Sequence, residues 1–204
     1  MIELLHCDCM EYMATVPDKY FDLACVDPPY GIKNMNAGGR GMNRWIDWEK
    51  KGWDDAAPDK KYFEELTRIS KNQIIWGGNY FDLPPSKCWI IWDKGQRDFS
   101  LADGEMAWAS FDKAMRIFEL SRGAASTETK IHPTQKPIRL YEWILSKFAK
   151  KGQRVFDSHL GSASSAIAAH YFGVDFVGCE LDKDYFEAAK ARFDMATKQL
   201  AMSI

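Results

Sequence analysis

Apolar and polar positions repeat along this chain in a two-part rhythm. A short apolar run ends on an acid or a small residue, and a longer segment follows with apolar residues three and four apart. Ile2–His6 predicts a strand that stops at Asp8, and a helix follows around Met10, Met13 and Val16. Residues 22–26, Asp22-Leu23-Ala24-Cys25-Val26, predict a buried parallel strand; Asp27-Pro28-Pro29-Tyr30 ends it abruptly, because proline has no N–H for a sheet ladder. Residues 60–71 predict an amphipathic helix with Tyr62, Phe63, Leu66 and Ile69 inward, and strands are expected over 72–78 and 88–92. Residues 105–111 and 115–120 are consecutive runs with no helix between them, so they predict an antiparallel strand pair. Pro137 opens a helix whose inner face is Ile138, Tyr141, Ile144, Leu145 and Phe148.

The last quarter states the theme twice. Arg154–Asp157 is a strand, residues 158–162 a small-residue turn, Ser164–Phe172 an alanine-rich helix, Asp175–Glu180 a strand ending on an acid, and residues 183–200 a helix. Strand, small-residue turn, helix, strand and terminal acid form a nucleotide-binding βαβ unit, in which backbone approaches the ligand at the turn and the acid accepts from ribose hydroxyls. Only Gly161 stands where a G-x-G-x-x-G would be, so a nucleoside without a pyrophosphate fits better. In open α/β sheets ligands bind at the carboxyl ends of the strands, which places Asp8, Asp27, Asp157 and Glu180 on one edge. Asp8 also reads as a helix N-cap.

Composition narrows the picture. With 204 residues, 46% hydrophobic, the chain reads as one soluble domain with a sizeable core. No apolar run has the length of a membrane span and no signal-peptide pattern opens the chain, so a cytoplasmic protein is expected. The five cysteines fit reduced thiols; Cys7 and Cys9 lack a second ligand pair, and no metal is expected. A net charge of -2 excludes a uniformly basic nucleic-acid binder but not a locally basic face. Residues 31–58 break the rhythm. Lys33, Arg40 and Arg44 lie there among Trp45, Trp48 and Trp53, the composition of a nucleic-acid contact loop and equally of a flexible insertion with anchored tryptophans. The polar stretches 94–103 and 122–130 are further candidate nucleic-acid contacts.

Three segments together resemble the amino-group DNA methyltransferases that use S-adenosylmethionine. Asp27-Pro28-Pro29-Tyr30 is similar to their catalytic motif, and His132-Pro133-Thr134-Gln135-Lys136-Pro137 to the segment before their cofactor-side helix. Asp157-Ser158-His159-Leu160-Gly161-Ser162-Ala163 resembles their cofactor loop, with Ser158-His159 in place of the usual Pro-Phe and Ala163 in place of a glycine. The catalytic segment precedes the cofactor segment, the order of the beta class, and the resemblance, which leaves no stretch for a separate target-recognition domain, is to the small phage and prophage types.

The resemblance implies a Rossmann-like α/β fold, a mostly parallel sheet with one antiparallel pair and helices on both faces, in a single domain over 1–204. It implies double-stranded DNA as partner, transfer to the N6 amine of a flipped-out adenine, and Asp27, Pro28, Pro29 and Tyr30 as catalytic residues. Asp8, Asp27, His132, Thr134, Lys136, Asp157, Ser158, His159, Gly161, Ser162, Glu180 and Leu181 are implied around the cofactor. Beta-class relatives are often dimers, so a homodimer is a further expectation. Ala163 is expected in the first helical turn, leaving the loop shape intact.

The chemistry suits these residue types. An exocyclic amine is a poor nucleophile because its lone pair is delocalised into the ring. A carboxylate at Asp27 and a carbonyl at Pro28 that accept its two hydrogens draw the nitrogen toward a tetrahedral geometry, and Tyr30 offers an aromatic face to the base. Three alternatives stay open: cytosine-N4 transfer, transfer to a protein glutamine or an RNA base, and a DNA-binding homologue without activity.

Overall fold

The alternation within the strand before Asp27 explains the layering. Side chains of a strand alternate between faces. Leu23 and Cys25 therefore join one core with Ile74, Trp76 and Ile90, while Ala24 and Val26 join the other with Phe21 and Ile75. Because both faces are buried, the run reads as continuously apolar.

The computed structural model describes residues 1–32, 56–97, 102–125, 129–132 and 134–201, with side chains through 198. The order is β1 (Ile2–His6), α1 (Cys9–Thr15), β2 (Phe21–Val26), α2 (Lys60–Ile69), β3 (Ser70–Trp76), a 3₁₀ turn (Gly78–Tyr80), β4 (Cys88–Asp93), β5 (Gly104–Ala109), β6 (Arg116–Glu119), α3 (Arg122–Ala125), α4 (Ile138–Phe148), β7 (Arg154–Asp157), α5 (Ser164–Phe172), β8 (Asp175–Glu180) and α6 (Lys183–Ala201). Among the described residues the strands form one eight-stranded sheet, ordered β1-β8-β7-β2-β3-β5-β4-β6.

One face carries α1 and α2, which bury Met13, Val16, Tyr62, Leu66 and Ile69 against β2, β3 and β7. The other carries α4, α5 and part of α6, with Leu140, Ile144, Leu145, Ala166, Ala169 and Ala189 inward. Each fully buried Leu or Ile contributes about 1.5–3 kcal/mol relative to exposure, so these stripes hold the helices in place. Pro137 is the N-cap of α4, and Asp59 caps α2 by accepting from the Tyr62 N–H at 3.0 Å.

One expected pairing is corrected. β5 and β6 are not paired with each other; β5 lies antiparallel between β3 and β4, while β6 pairs in parallel with the far side of β4. The chain between them crosses β4 instead of turning back, a choice set by β4 occupying the place beside β5.

The topology gathers chemistry on one edge. β1, β8, β7, β2 and β3 are mutually parallel, so their carboxyl ends, with Asp8, Glu180, Asp157, Asp27 and Gly77, face the same way. The antiparallel β5 begins at that edge, with Glu105, where β4 ends and Lys94 follows. No helix among the described residues is long and apolar enough to cross a membrane.

Candidate active site

A cleft of about 940 Å³ opens along this edge. Its wall includes Asp8, Asp27, Pro29, His132, Thr134, Lys136, Ser158, His159, Gly161, Ser162, Glu180 and Leu181, which brings together residues from both ends of the chain. Lys33, Arg40 and Arg44 lie outside the described residues.

Asp27 is held from two sides. Lys136 Nζ donates to Oδ2 at 2.5 Å, and the Tyr30 hydroxyl donates to Oδ1 at 2.7 Å. Burial, and then the Asp27 charge, push the Tyr30 phenol far above its usual range, so it stays protonated as a donor. Lys136 is only 4% exposed. Burial disfavours its charge, but Asp27 and Glu105 more than offset this and hold the ammonium well above the usual lysine range. Lys136 thus belongs to Asp27 as well as to the cleft wall.

Tyr30 is not the open aromatic surface that the sequence suggests. Its ring stacks on Tyr80, with centroids 5.0 Å apart and planes 16° apart, and meets Phe81 edge-on. Gly77, at φ +67°, backs the ring so closely that a Cβ there would lie 2.3 Å from Tyr30 Cε1. Tyr80, 49% exposed, is the outer member of the stack. Among the described residues, Pro29 and Asp27 stand on the cleft wall, whereas buried Pro28 and half-buried Tyr30 are not part of its lining.

The acids at the other strand ends do structural work too. Asp8 caps α1, its Oδ1 accepting from the Met10 N–H at 2.6 Å. Glu180 accepts from the Gly161 N–H at 2.9 Å and from the Asp182 N–H at 3.0 Å; each carboxylate oxygen keeps a further lone pair for a ligand. Burial raises the pKa of Glu180. Asp157 stands behind the wall, contrary to the expected place in the pocket. It accepts from Ser165 Oγ at 2.6 Å and from the His159 N–H at 3.1 Å, and burial raises it to about 7.

The two departures in the cofactor loop are bonded to each other and to α2. Tyr62 Oη lies 2.6 Å from Ser158 Oγ, and Ser158 Oγ 2.8 Å from His159 Nδ1. Burial lowers His159 to about 4, so the imidazole is neutral at pH 7. His132, likewise lowered to about 4 by burial, lies edge-on to Tyr185 and 3.1 Å from Thr134 Oγ1. Ala163 is not in the first helical turn: it caps α5 in the left-handed region, at φ 59°, a conformation that favours glycine. Leu181 is exposed at the rim.

Sequence reasoning missed Tyr62, Tyr80, Gly77 and Glu105. Tyr62 followed the helical apolar stripe and read as core. Lys94 opens a polar stretch that reads as a nucleic-acid contact, but it is 6% exposed and bonded to Glu105 at 2.5 Å.

Comparison with known proteins adds an independent line. The N6/N4 methyltransferase family model, described as DNA methylase, matches residues 84–191. The type II methyltransferase M2.DpnII of Streptococcus pneumoniae is 24% identical over 242 aligned residues, covering 94% of this chain and 89% of that protein. The crystal structure of the M1.HpyAVI–SAM complex matches with a TM-score of 0.63 at 22% identity, covering 94% of this chain and 100% of that one. The cytosine-N4-specific PvuII DNA methyltransferase matches with a TM-score of 0.63 at 12% identity, covering 97% and 90%. At these identities the structural matches establish the shared methyltransferase fold.

Proposed function

The chain belongs to the DNA methylase family of N6/N4 amino-group methyltransferases, and from that premise we propose that it methylates the N6 amine of an adenine flipped out of double-stranded DNA, with S-adenosylmethionine as donor. We further propose one methyltransferase domain over 1–204, acting in the cytoplasm.

The cleft suits this donor. Its wall carries Asp8, Asp27, Asp59, Glu180 and Asp182 against Lys61 and Lys136, and Lys136 is already paired with Asp27. Such a wall repels pyrophosphate and favours a nucleoside bearing a positive charge. Gly161, at φ +52°, leaves bare backbone on the wall; a Cβ there would meet His132 at 3.9 Å, ordinary contact, so the positive φ rather than crowding calls for glycine. Asp8, Glu180, Gly161, Ser162, His132, Thr134, Ser158, His159 and Leu181 would hold the donor. When bound, S-adenosylmethionine supplies an electrophilic methyl group on a sulfonium.

The chain's own residues prepare the nucleophile. Asp27 accepts a hydrogen of the target amine through the lone pairs that Lys136 and Tyr30 leave open, drawing electron density onto the nitrogen. The Pro28 carbonyl is the second acceptor in this reading, and Lys33, Arg40 and Arg44 contact DNA phosphates. The base leaves the duplex stack to reach Asp27. In this reading Tyr80, half-exposed and stacked on Tyr30, offers the base an aromatic surface among the described residues.

One observation carries the reading: Asp27, clamped in a fixed orientation, shares a single cleft with Asp8 and Glu180. Adenine is preferred over cytosine because an acid, as in the resemblance to adenine enzymes, stands at position 27. The test is transfer of labelled methyl to duplex DNA, followed by digestion and chromatography of the nucleosides. N6-methyladenine supports the proposal; N4-methylcytosine supports the runner-up; label only in RNA or protein counts against DNA as substrate.

A further inference from the structure

Four side chains of alternating charge run along the sheet edge away from the cleft. Asp27 Oδ2 lies 2.5 Å from Lys136 Nζ, Lys136 Nζ lies 3.3 Å from Glu105 Oε2, and Glu105 Oε1 lies 2.5 Å from Lys94 Nζ. They come from the end of β2, the segment before α4, the start of β5 and the end of β4. Both lysines are nearly inaccessible. Taking ammonium groups out of water is costly unless partners compensate, so each lysine holds its place through the carboxylates beside it. Glu105 is not among the residues on the cleft wall, and the proposed chemistry has not used it.

We infer that Glu105 is a positioning residue for methyl transfer: by sharing the Lys136 ammonium with Asp27, it keeps the Asp27 carboxylate a strong enough acceptor to draw the hydrogens of the target amine. The step it serves rests on the function proposed above; the sharing itself rests on geometry alone. An ammonium given wholly to Asp27 withdraws charge from both carboxylate oxygens, and Oδ1 already accepts from Tyr30. Glu105 draws part of that positive charge away. Burial opposes its ionisation, yet Lys136 and Lys94 hold its carboxyl down to about 2, so it is anionic throughout the working range. Lys94 in turn tempers Glu105 through the other oxygen. The ladder is a balance: removing the charge of Glu105 tightens Lys136 on Asp27, and removing Lys94 loosens it.

The experiment measures the single-turnover rate of methyl transfer to duplex DNA, with KM values and melting temperatures, for wild type, E105Q, E105D and K94M. E105Q keeps the shape and one hydrogen bond but not the charge. Its transfer rate is expected to fall about tenfold, with KM for DNA and donor within twofold of wild type. E105D restores most of the rate, and K94M raises it above wild type. A scaffold role would instead lower both E105Q and K94M in step with their melting temperatures. That result, or an E105Q rate within twofold of wild type, overturns the inference. A readout independent of turnover is the ¹⁵Nζ spectrum of lysine-labelled protein. The buried Lys136 ammonium, assigned by its loss in K136M, is expected to shift in E105Q; an unchanged signal overturns the sharing. If wild type transfers no methyl to DNA, the proposed function fails, and the spectrum still decides whether the ammonium is shared.

Discussion

Lys136 Nζ reaches Asp27 Oδ2 at 2.5 Å across 109 residues of chain, tying the segment before α4 to the end of β2. Two motifs that sequence alone reads as separate, one for the base and one for the donor, are one electrostatic unit. The lysine sets a positive charge against the Asp27 carboxylate, and it fixes which way the remaining lone pairs point.

Replacing Lys136 with methionine therefore strands Asp27 without a cation. Breaking a buried pair by removing one member costs about 3–5 kcal/mol. Here the loss is closer to about 2 kcal/mol, because Asp27 borders the cleft and Lys94 retains Glu105. Methyl transfer should fall at least about a hundredfold, while calorimetry should find donor affinity changed only severalfold. Transfer at the wild-type rate would show that the clamp is incidental.

His159 gives a signed pH dependence. Its folded pKa is about 4, against about 6.5 in the unfolded chain. Between these values the unfolded chain carries a proton the folded one lacks, so this contribution is complete above about pH 6.5 and lost as pH falls toward 4. Asp157, raised to about 7, works the other way: its contribution is full at low pH and lost as pH rises through 7. His159→Phe removes only the first effect. In urea unfolding between about pH 4.5 and 6, the slope of stability against pH should be smaller in the variant by about 1 kcal/mol per unit. Equal slopes would contradict the buried, neutral imidazole.

Gly77→Ala separates backbone strain from site geometry. The left-handed φ costs an alanine about 1–2 kcal/mol, and the new methyl would also drive the Tyr30 ring off Tyr80 and its hydroxyl away from Asp27. Gly152→Ala shares the positive φ, +77°, and meets nothing within 4 Å, so it reports the backbone cost alone. Denaturation should show Gly77→Ala the more destabilised of the two, with methyl transfer lost about tenfold only in that variant. Matching losses in both would mean that the Tyr30 stack is unimportant.

Much of this was legible in the chain. The strands ending at Asp27, Asp157 and Glu180 announce themselves because each is a short apolar run stopped by an acid, and parallel topology puts such ends on one edge. The partner of β5 was not legible, since local periodicity is silent on whether a chain turns back or crosses a neighbour. Nor was the ladder: Lys94 and Glu105 sit at strand ends where charges usually face water, and only the fold brings them to Lys136. Ala163 misled for a different reason, since alanine gives no sign of a left-handed backbone.

The central claim is that Asp27 activates the target amine in a cleft whose other residues hold the donor. It is tested most directly by comparing wild type with Asp27→Ala, measuring labelled methyl transfer to duplex DNA and donor affinity by calorimetry on the same preparations. The account predicts transfer by wild type, none above background by the variant, and donor affinity within severalfold in both. Undiminished transfer by Asp27→Ala would contradict it.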